Sequence, residues 1–200
     1  MFNSLVEIIR DLNDGKIVCL ADSPKLENEI DMMCLAKYAT PENINYMIRN
    51  ARGLVCCPMA AEWCDRIGFE PMVNNNIRVD HLGTPFFQSV DLNNGSTGVS
   101  AIERSKTANR IASQRATLDD FVSPGHLFTL RARPGLLKER QGHTEGSVAL
   151  AGLCDPDSPV AIICEIINND GTMLTLNDFQ EWNADKNLKL FTIDKLTELF

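Results

Sequence analysis

The sequence contains no pair of cysteines spaced C-x-x-C, although it has seven cysteines in 200 residues. That spacing is the usual signature of a zinc ribbon or a thioredoxin-like redox site, so the sequence argues against both classes. An odd number of scattered cysteines with no secretory leader is typical of reduced thiols in a cytoplasmic protein. We therefore expect a cytoplasmic location, with most of these thiols serving as small core residues.

A basic run and a long apolar stretch are also missing. Asp and Glu outnumber Lys and Arg by 27 to 19, which gives a formal net charge of −8. Because no basic run offsets this charge, nucleic acid is not expected as the main partner. No apolar stretch approaches the roughly 20 residues of a membrane-spanning helix, so no membrane partner is expected. An anionic small molecule stays compatible with the composition if Arg residues or a metal ion collect at one site.

Helices and strands are predicted in irregular alternation. No long linker divides the chain, and its length can bury a substantial core, so one domain over residues 1–200 is the simplest interpretation. The absence of a repeating βα unit and of internal repeats favours α+β packing over a doubly wound sheet. The predicted helices cover 2–12, 41–52, 103–113 and 144–153, with a short one from 117 to the Pro-Gly pair at 124–125. The predicted strands cover 16–21, 54–57, 86–92, 126–132 and 160–167, and a final helix-strand-helix covers 177–200.

The segment KLENEID, residues 25–31, carries three carboxylates shortly after the first predicted strand. These carboxylates belong to Glu27, Glu29 and Asp31. Such a cluster is more often a solvated loop than a cation site. The residues alone leave both interpretations open.

The segment RQGHTEGSVAL, residues 140–150, has the features of an anion site. Gly142 lets a ligand approach the backbone, and Thr144 is expected to cap the helix that follows, whose exposed N–H groups and dipole attract anions. Arg140 adds a planar fork suited to phosphate. The alternative is that Thr144 is only a cap and Arg140 only a surface charge. His143 could bind a metal or move a proton, although a lone His is more often structural.

Three other stretches carry candidate polar residues. Glu165 interrupts the apolar run of a predicted buried strand, and burial of a carboxyl group is a common route to acid–base function near neutrality. Its alternative placement is the exposed face of an edge strand. His126, in PGHLF, has the same ambiguity as His143, and His81 is interpreted as structural. The glycines and hydroxyl groups of residues 93–101 could hold phosphate, but they lack Walker or Rossmann spacing.

Six stretches, taken in order, resemble those of the 3,4-dihydroxy-2-butanone 4-phosphate synthase family of the riboflavin pathway. They are ATPENINYM, GLVCCPM, STGVSAIERSKT, PGHLFTLRARPG, GHTE and CEIINNDGTM. The resemblance implies a three-layer α+β fold with a mixed sheet, a homodimer, and a divalent cation, Mg²⁺ or Mn²⁺. It also implies a lyase that converts D-ribulose 5-phosphate to L-3,4-dihydroxybutan-2-one 4-phosphate and formate. The implied chemistry is a metal-assisted enolisation followed by a skeletal rearrangement.

The resemblance further implies roles for individual residues. Glu27 and His143 match the family's metal ligands. The residues implied to act in catalysis are His126, Glu165, Asp31 and Glu29. The residues implied to bind the sugar phosphate are Asp22, Glu27, Asp31, Cys56, Thr97, Arg140, Gln141, Gly142, His143, Thr144 and Glu165.

The acidic segment departs from the family pattern Arg-Glu-Asn-Glu-Gly-Asp at two positions. Leu26 stands in place of the Arg that contacts substrate, and Lys25 is a poor substitute because neighbouring side chains of an extended backbone point to opposite faces. Ile30 stands in place of a Gly, and a β-branched residue resists the positive φ that Gly permits. We therefore expect a differently closing loop and poor use of ribulose 5-phosphate. Two alternatives follow: an enzyme that enolises a related sugar phosphate to another product, and a homologue kept for binding or assembly.

Overall fold

One seven-stranded mixed sheet organises the chain, for which the computed structural model describes residues 2–23, 26–73 and 83–200. Its strands are β1 (Val18–Ala21), β2 (Ile30–Leu35), β3 (Cys56–Met59), β4 (Phe86–Leu92), β5 (Phe121–Arg131), β6 (Ala161–Glu165) and β7 (Leu190–Thr192). Their order across the sheet is β4-β5-β3-β6-β2-β1-β7. The pairs β1–β7 and β3–β5 are parallel, and the other four neighbouring pairs are antiparallel. Segments from both ends of the chain therefore share one sheet.

The described residues form seven α-helices, four of which begin after a residue whose side chain caps the first turn. They are α1 (Leu5–Asn13), α2 (Pro41–Asn50), α3 (Ala61–Ile67), α4 (Ala101–Ile111), α5 (His143–Cys154), α6 (Phe179–Trp182) and α7 (Ile193–Thr197). Ser100 accepts a hydrogen bond from the backbone N–H of Glu103, whose carboxylate bonds back to the Ser100 N–H. This reciprocal pair satisfies N–H groups that the first turn leaves open. Across the three described ranges, no helix has the length and apolar character needed to cross a bilayer.

Side-chain alternation along the strands divides the apolar core into two clusters, one on each face of the sheet. Val18 and Leu20 of β1 belong to the cluster that includes residues of α1, α5 and α7. Cys19 and Ala21 of the same strand belong to the cluster that includes residues of α2, α3 and α4. The sheet is thus covered by helices on both faces, which confirms the predicted three-layer α+β fold.

Most predicted elements are present with shifted ends, but β2 and α3 were not predicted. β4 has the predicted bounds, and α5 extends one residue beyond the prediction at each end. Every residue of β2 is buried, so the strand shows no alternation of apolar and polar residues. Its sequence, IDMMCL, contains only one β-branched residue, so the propensity signal for a strand is also weak. α3 has only seven residues, too few for a clear helical period.

The predicted end of a short helix at Pro124 and Gly125 is wrong, because both residues lie inside β5. A 3₁₀ turn over Leu118–Asp120 leads directly into this strand. The pairing of β4 with β5 is irregular at two points, where extra residues bulge. A Cβ atom at Gly125 would overlap the backbone of Val90 on β4. Glycine is therefore required here for close approach of the two strands, rather than for a turn.

The expected backbone conflict at Ile30 is also wrong. Ile30 is the first residue of β2, pairs with Ala21 and is fully buried. The positive φ of the acidic segment is found at Asn28, with a value of 56°. An asparagine tolerates that region better than a β-branched residue does.

Lys25 and His81, which were interpreted from the sequence, lie outside the described ranges.

Candidate active site

A cavity of about 140 Å³ lies on the α5 face of the sheet, where the end of β6 meets the start of β2. The last residue of β6, Glu165, is the register partner of Asp31, and His143 is the first residue of α5. The lining residues are Glu27, Glu29, Asp31, Cys56, Thr84, Phe86, Leu130, Arg140, His143, Thr144, Ile163 and Glu165. The fold therefore gathers most of the predicted site residues around one space.

Cys56 forms part of the apolar floor of this cavity together with Ile163 and Leu130. Burial, reinforced by the carboxylates of Glu165 and Asp31, holds the pKa of the Cys56 thiol well above its usual value. A thiol with a raised pKa stays protonated near neutral pH and is a poor nucleophile. Cys56 therefore contributes a small neutral surface to the cavity.

Asp22 holds the acidic segment in place. Its buried carboxylate accepts one hydrogen bond from the Glu27 N–H, at 2.8 Å, and one from the Glu29 N–H, at 2.9 Å. Charge-assisted bonds to two backbone N–H groups offset the cost of burying a carboxylate. The pairing of Ala21 with Ile30 closes the hairpin around this anchor. Glu27 and Glu29 are thus presented to the cavity by a hydrogen-bonded turn.

His143 lies between two carboxylates of this segment. Its Nδ1 atom is 3.4 Å from Oε2 of Glu27, and its Nε2 atom is 4.0 Å from Oδ1 of Asp31. The second distance is too long for a hydrogen bond. Nε2 of His143 and Oδ1 of Asp31 are both buried, and neither has a hydrogen-bond partner in the part of the chain that the structure describes. A gap between two buried polar atoms is suited to a bridging ion or water.

The acidic residues around His143 perturb one another strongly. Burial raises the pKa of Asp31 to about 8; the positive field of His143 opposes this shift, while Glu165 and Glu27 add to it. Burial alone would lower the pKa of His143, but Asp31 and Glu27, with Asp22, outweigh it and raise the pKa to about 9. Several carboxylates therefore crowd around one imidazole, an arrangement that a bound cation would relieve.

The donor atoms of this cluster fit a hard divalent cation. Ligand atoms of Asp22, Glu27 and His143 lie within 4.8 Å of one another. Carboxylate oxygens and imidazole nitrogens suit Mg²⁺ and Mn²⁺, which keep several waters when few protein groups bind them. Both oxygens of Asp22 already accept backbone N–H groups, so this residue is better suited to anchoring the segment. Glu27 and His143 are better placed to bind such an ion, with Asp31 beside them.

The start of α5 forms the opposite wall of the cavity. Gly142, not Thr144, is the N-cap residue, and Thr144 is buried inside the first turn, so the interpretation of Thr144 as a cap is wrong. The side chain of Arg140 is only 15% exposed and forms an ion pair of 2.7 Å with Glu145, which excludes a simple surface charge. A Cβ atom at Gly142 would overlap the guanidinium of Arg140. Glycine is therefore needed to let Arg140 fold back over the helix N-terminus.

A second, smaller cavity of about 90 Å³ adjoins the first. Its lining residues are Asp22, Leu26, Glu27, Arg140, Gln141 and Gly142. Glu27 and Arg140 line both spaces, so the two cavities share part of their walls. The side chain of Leu26 therefore reaches the site as an apolar group, where the family pattern has an Arg.

Glu165 is fixed by the segment that precedes β3. β6 lies between β3 and β2, so the interpretation of an edge strand is wrong. The Leu54 N–H donates to Oε2 of Glu165 at 2.7 Å, and the Gly53 N–H donates to its backbone oxygen at 3.1 Å. A Cβ atom at Gly53 would lie 2.6 Å from Oε2. Gly53 is thus a close neighbour of the carboxyl group that sequence reasoning missed.

Thr97 and His126 lie outside both cavities. Thr97 is in the exposed connection between β4 and α4. His126 is on β5, with its side chain 49% exposed, and its Nδ1 atom is 2.7 Å from Oδ2 of Asp91. The other oxygen of Asp91 accepts the His126 backbone N–H at 2.9 Å. This buried carboxylate fixes the orientation of the ring and favours the tautomer with the proton on Nδ1. The only sequence signal for Asp91 is that it is an acidic residue in a largely apolar strand, β4.

Comparison with known proteins shows similarity over nearly the whole chain. The family model described as 3,4-dihydroxy-2-butanone 4-phosphate synthase matches residues 6–199. The riboflavin biosynthesis protein RibBA of Bacillus mycoides (strain KBAB4) is 43% identical over 196 residues, which cover 98% of this chain and 49% of the relative. RibBA of Bacillus cereus (strain G9842) is 42% identical with the same coverage. The chain thus spans about half the length of these curated relatives.

Solved structures share the fold. RibBX from A. baumannii, a two-domain 3,4-dihydroxy-2-butanone 4-phosphate synthase, is 36% identical with a TM-score of 0.90, covering 97% of this chain and 56% of that one. A synthase in complex with two magnesium ions is 31% identical with a TM-score of 0.89, covering 98% and 95%. The Candida albicans synthase is 32% identical with a TM-score of 0.89, covering 100% and 98%. These similarities extend along the three layers described above.

Proposed function

Because the chain belongs to the 3,4-dihydroxy-2-butanone 4-phosphate synthase family, we propose that it converts D-ribulose 5-phosphate to L-3,4-dihydroxybutan-2-one 4-phosphate and formate. The observation that carries the proposal is a single cavity in which an acidic cluster around His143 faces Arg140 at the start of α5. A family match over residues 6–199 favours this lyase over the two alternatives, a different product or a binding-only homologue.

Arg140 and the first turn of α5 bind the phosphate group of the substrate. A helix N-terminus presents N–H donors and a positive dipole end to an anion. Gly142 leaves room for the guanidinium of Arg140 beside these donors, and Gln141 and Thr144 line the same wall. Thr97, the remaining predicted phosphate contact, lies on an exposed connection outside this wall. Arg140 and the N-terminus of α5 therefore provide the main contacts to the phosphate.

Glu27 and His143 hold a divalent cation, Mg²⁺ or Mn²⁺. When bound, such an ion stabilises negative charge on the oxygens of an enolising ketose. The unpartnered atoms of His143 and Asp31 support this assignment, as does the magnesium complex of a family member. Asp22 maintains the position of Glu27 through its bond to the Glu27 N–H.

Glu165 and Asp31 move protons beside the substrate carbon chain. The Leu54 N–H occupies Oε2 of Glu165, so Oε1 accepts the proton released on enolisation. Asp31, whose pKa burial raises, is suited to returning a proton during the rearrangement. Glu29 lines the cavity next to them and binds hydroxyl groups of the sugar. These assignments give each predicted catalytic residue of the cavity a task.

The chain forms a homodimer, and this assembly accounts for His126. An exposed ring that lies outside the cavity of its own chain can act on substrate only in the cavity of a second copy. The bond from Asp91 prepares this ring for proton transfer by fixing its tautomer.

Residues 1–200 form one domain. The protein is cytoplasmic, since all seven cysteines are free thiols, as a reducing compartment maintains.

Product analysis tests this function. Purified protein incubated with ribulose 5-phosphate and Mg²⁺ should release formate and the four-carbon phosphate in equal amounts. Consumption of the sugar phosphate with a different product would instead support the diverged enzyme. Binding without consumption would support the non-catalytic homologue.

A further inference from the structure

Glu145 is a fully buried carboxylate in the first turn of α5, and the chemistry proposed above does not use it. Its Oε2 atom is 2.7 Å from Nη1 of Arg140. Its Oε1 atom accepts a hydrogen bond of 3.1 Å from the backbone N–H of Arg133. A carboxylate is retained in the interior of a protein only when both oxygens find partners of this kind. Glu145 therefore ties the start of α5 to two separate arginine positions.

The partner that matters for the site is Arg140. Besides the ion pair with Glu145, its Nη2 atom donates to Oγ1 of Thr84 at 3.3 Å. The missing Cβ atom of Gly142 leaves the space in which the guanidinium lies. A guanidinium carries five N–H donors in one plane, so fixing that plane fixes the direction of every donor. Of these two side-chain contacts of Arg140, the one to Glu145 is the shorter.

We propose that Glu145 is a positioning residue for phosphate recognition, which acts by orienting the guanidinium of Arg140 toward the substrate. This inference rests on the proposed function, since the phosphate is that of the sugar substrate. The charge of Glu145 by itself weakens the attraction of an anion to Arg140, so its benefit must come from geometry. A purely structural role, in which Glu145 only fastens α5 to Arg133, is the competing explanation.

Titration with inorganic phosphate, followed by calorimetry, separates these explanations. Glu145→Gln keeps the shape of the side chain and a carbonyl that can accept the Arg133 N–H. We expect phosphate affinity to fall roughly tenfold or more in this variant, and the KM for ribulose 5-phosphate to rise similarly, with kcat changed far less. Glu103→Gln is the matched control, because Glu103 occupies the same helix position in α4 and its carboxylate bonds to nearby residues, Ser100 and Ser96. It should bind phosphate as the wild type does.

A double-mutant cycle identifies the route of the effect. If Glu145 acts through Arg140, adding Glu145→Gln to Arg140→Ala should cause no further loss of phosphate affinity. Additive losses would overturn the proposal in favour of a structural role. Unchanged or tighter phosphate binding by Glu145→Gln would overturn it as well. Should Glu145→Gln fail to fold, Glu145→Asp keeps the charge and shortens its reach, and wild-type phosphate affinity in that variant would contradict the proposal.

Loss of the positioning role of Glu145 and loss of the proposed reaction would give different results. A wild-type protein that binds phosphate, but loses no affinity on Glu145→Gln, removes only the role of Glu145. A wild-type protein that binds phosphate through Arg140 and Glu145, yet forms no formate, removes the proposed reaction and keeps this inference. A wild-type protein that releases formate but binds no inorganic phosphate overturns this inference and leaves the proposed reaction standing.

Discussion

At the scale of single residues, the proposed role of Glu165 in proton transfer can be tested most directly. Glu165→Gln keeps the side-chain shape and an oxygen that can accept the Leu54 N–H. The amide cannot take up a proton, so we expect kcat to fall roughly 10²-fold or more, the usual scale for a general acid–base. Steady-state kinetics should show a much smaller change in KM. A variant with nearly wild-type kcat would remove Glu165 from the mechanism.

Gly53 offers an independent test of how Glu165 is held. In Gly53→Ala the new methyl group would meet both the backbone oxygen and Oε2 of Glu165, so the carboxyl group must shift. We expect kcat to fall roughly tenfold or more, because catalysis requires the reacting groups at close and defined distances. Activity should be measured at a temperature where circular dichroism shows the variant to be folded.

Gly152→Ala provides the matched control for this substitution. Gly152 lies in α5, and a Cβ atom there meets nothing within 4 Å. Alanine is the better helix former by about 1 kcal/mol, so this variant should be at least as stable as the wild type and equally active. Full activity in both alanine variants would show that the position of Glu165 is not constrained by Gly53.

Sequence reasoning located residues that break an apolar pattern and missed those that act through distant contacts. Glu165 interrupts a buried strand, and the interruption is visible in the sequence alone. Gly53 gives no such signal, and Asp91 gives only a weak one, an acidic residue in a largely apolar strand. Leu54, the neighbour of Gly53, bonds to Glu165, which lies 111 positions away in the sequence. Asp91 bonds to His126, which lies 35 positions away. Only the pairing of strands brings these groups together, and that pairing was not predictable from local patterns.

At the scale of elements, the acidic segment between β1 and β2 carries the two departures from the family pattern that the sequence resemblance implies. Leu26 is 46% exposed and lines the cavity beside Glu27 and Arg140. Leu26→Arg would add a guanidinium at the place where the family pattern has one. A charge-assisted contact to an anionic substrate is worth about 1.5–3 kcal/mol, so we expect KM for ribulose 5-phosphate to fall roughly tenfold. A KM that stays the same or rises would show that the departure at position 26 has no kinetic consequence.

Ile30→Gly should behave in the opposite way, although it too restores the family residue. Ile30 is fully buried in β2, so removing its side chain leaves a cavity that costs about 3 kcal/mol or more of unfolding free energy. We expect a lower midpoint in denaturant and no gain in activity. Urea unfolding of this variant beside Leu26→Arg therefore separates a substitution that affects the site from one that affects the strand.

The same segment shows why elements were harder to predict than residues. The carboxylates of Glu27 and Glu29 were correctly assigned to a loop, but Ile30 and Asp31 belong to β2. Burial on both faces removes the period-two pattern by which strands are recognised. The position of Asp31 opposite Glu165 follows from this strand, so the juxtaposition of the two carboxyl groups could not be read from the sequence.

At the scale of the whole molecule, the three-layer fold was predictable because the family resemblance extends along nearly the whole chain. The strand order was not, since pairing of β1 with β7 joins residues near opposite ends of the sequence. The position of His126 outside the cavity was equally hidden, because the prediction grouped it with Glu165 on resemblance alone. Only the folded chain separates the two residues.

Mixing inactive variants tests whether His126 acts in a second copy. His126→Gln and Glu165→Gln should each be nearly inactive alone. After subunit exchange, about half of a random mixture is mixed dimers with one complete site each, so we expect about a quarter of wild-type activity. Light scattering should give a dimer for the wild type and both variants. A dimeric mixture that stays inactive would show that each site is completed by its own chain.

Metal-dependent formate release tests the central claim most directly. Protein treated exhaustively with EDTA and checked for metal content should be folded but inactive, because we propose Glu27 and His143 as ligands of a catalytic ion rather than a structural one. Adding Mg²⁺ or Mn²⁺ should restore the conversion of ribulose 5-phosphate to equal amounts of formate and the four-carbon phosphate, with Glu165→Gln as the background. Formate release that persists in metal-free protein, or restored metal without any formate, would contradict the account.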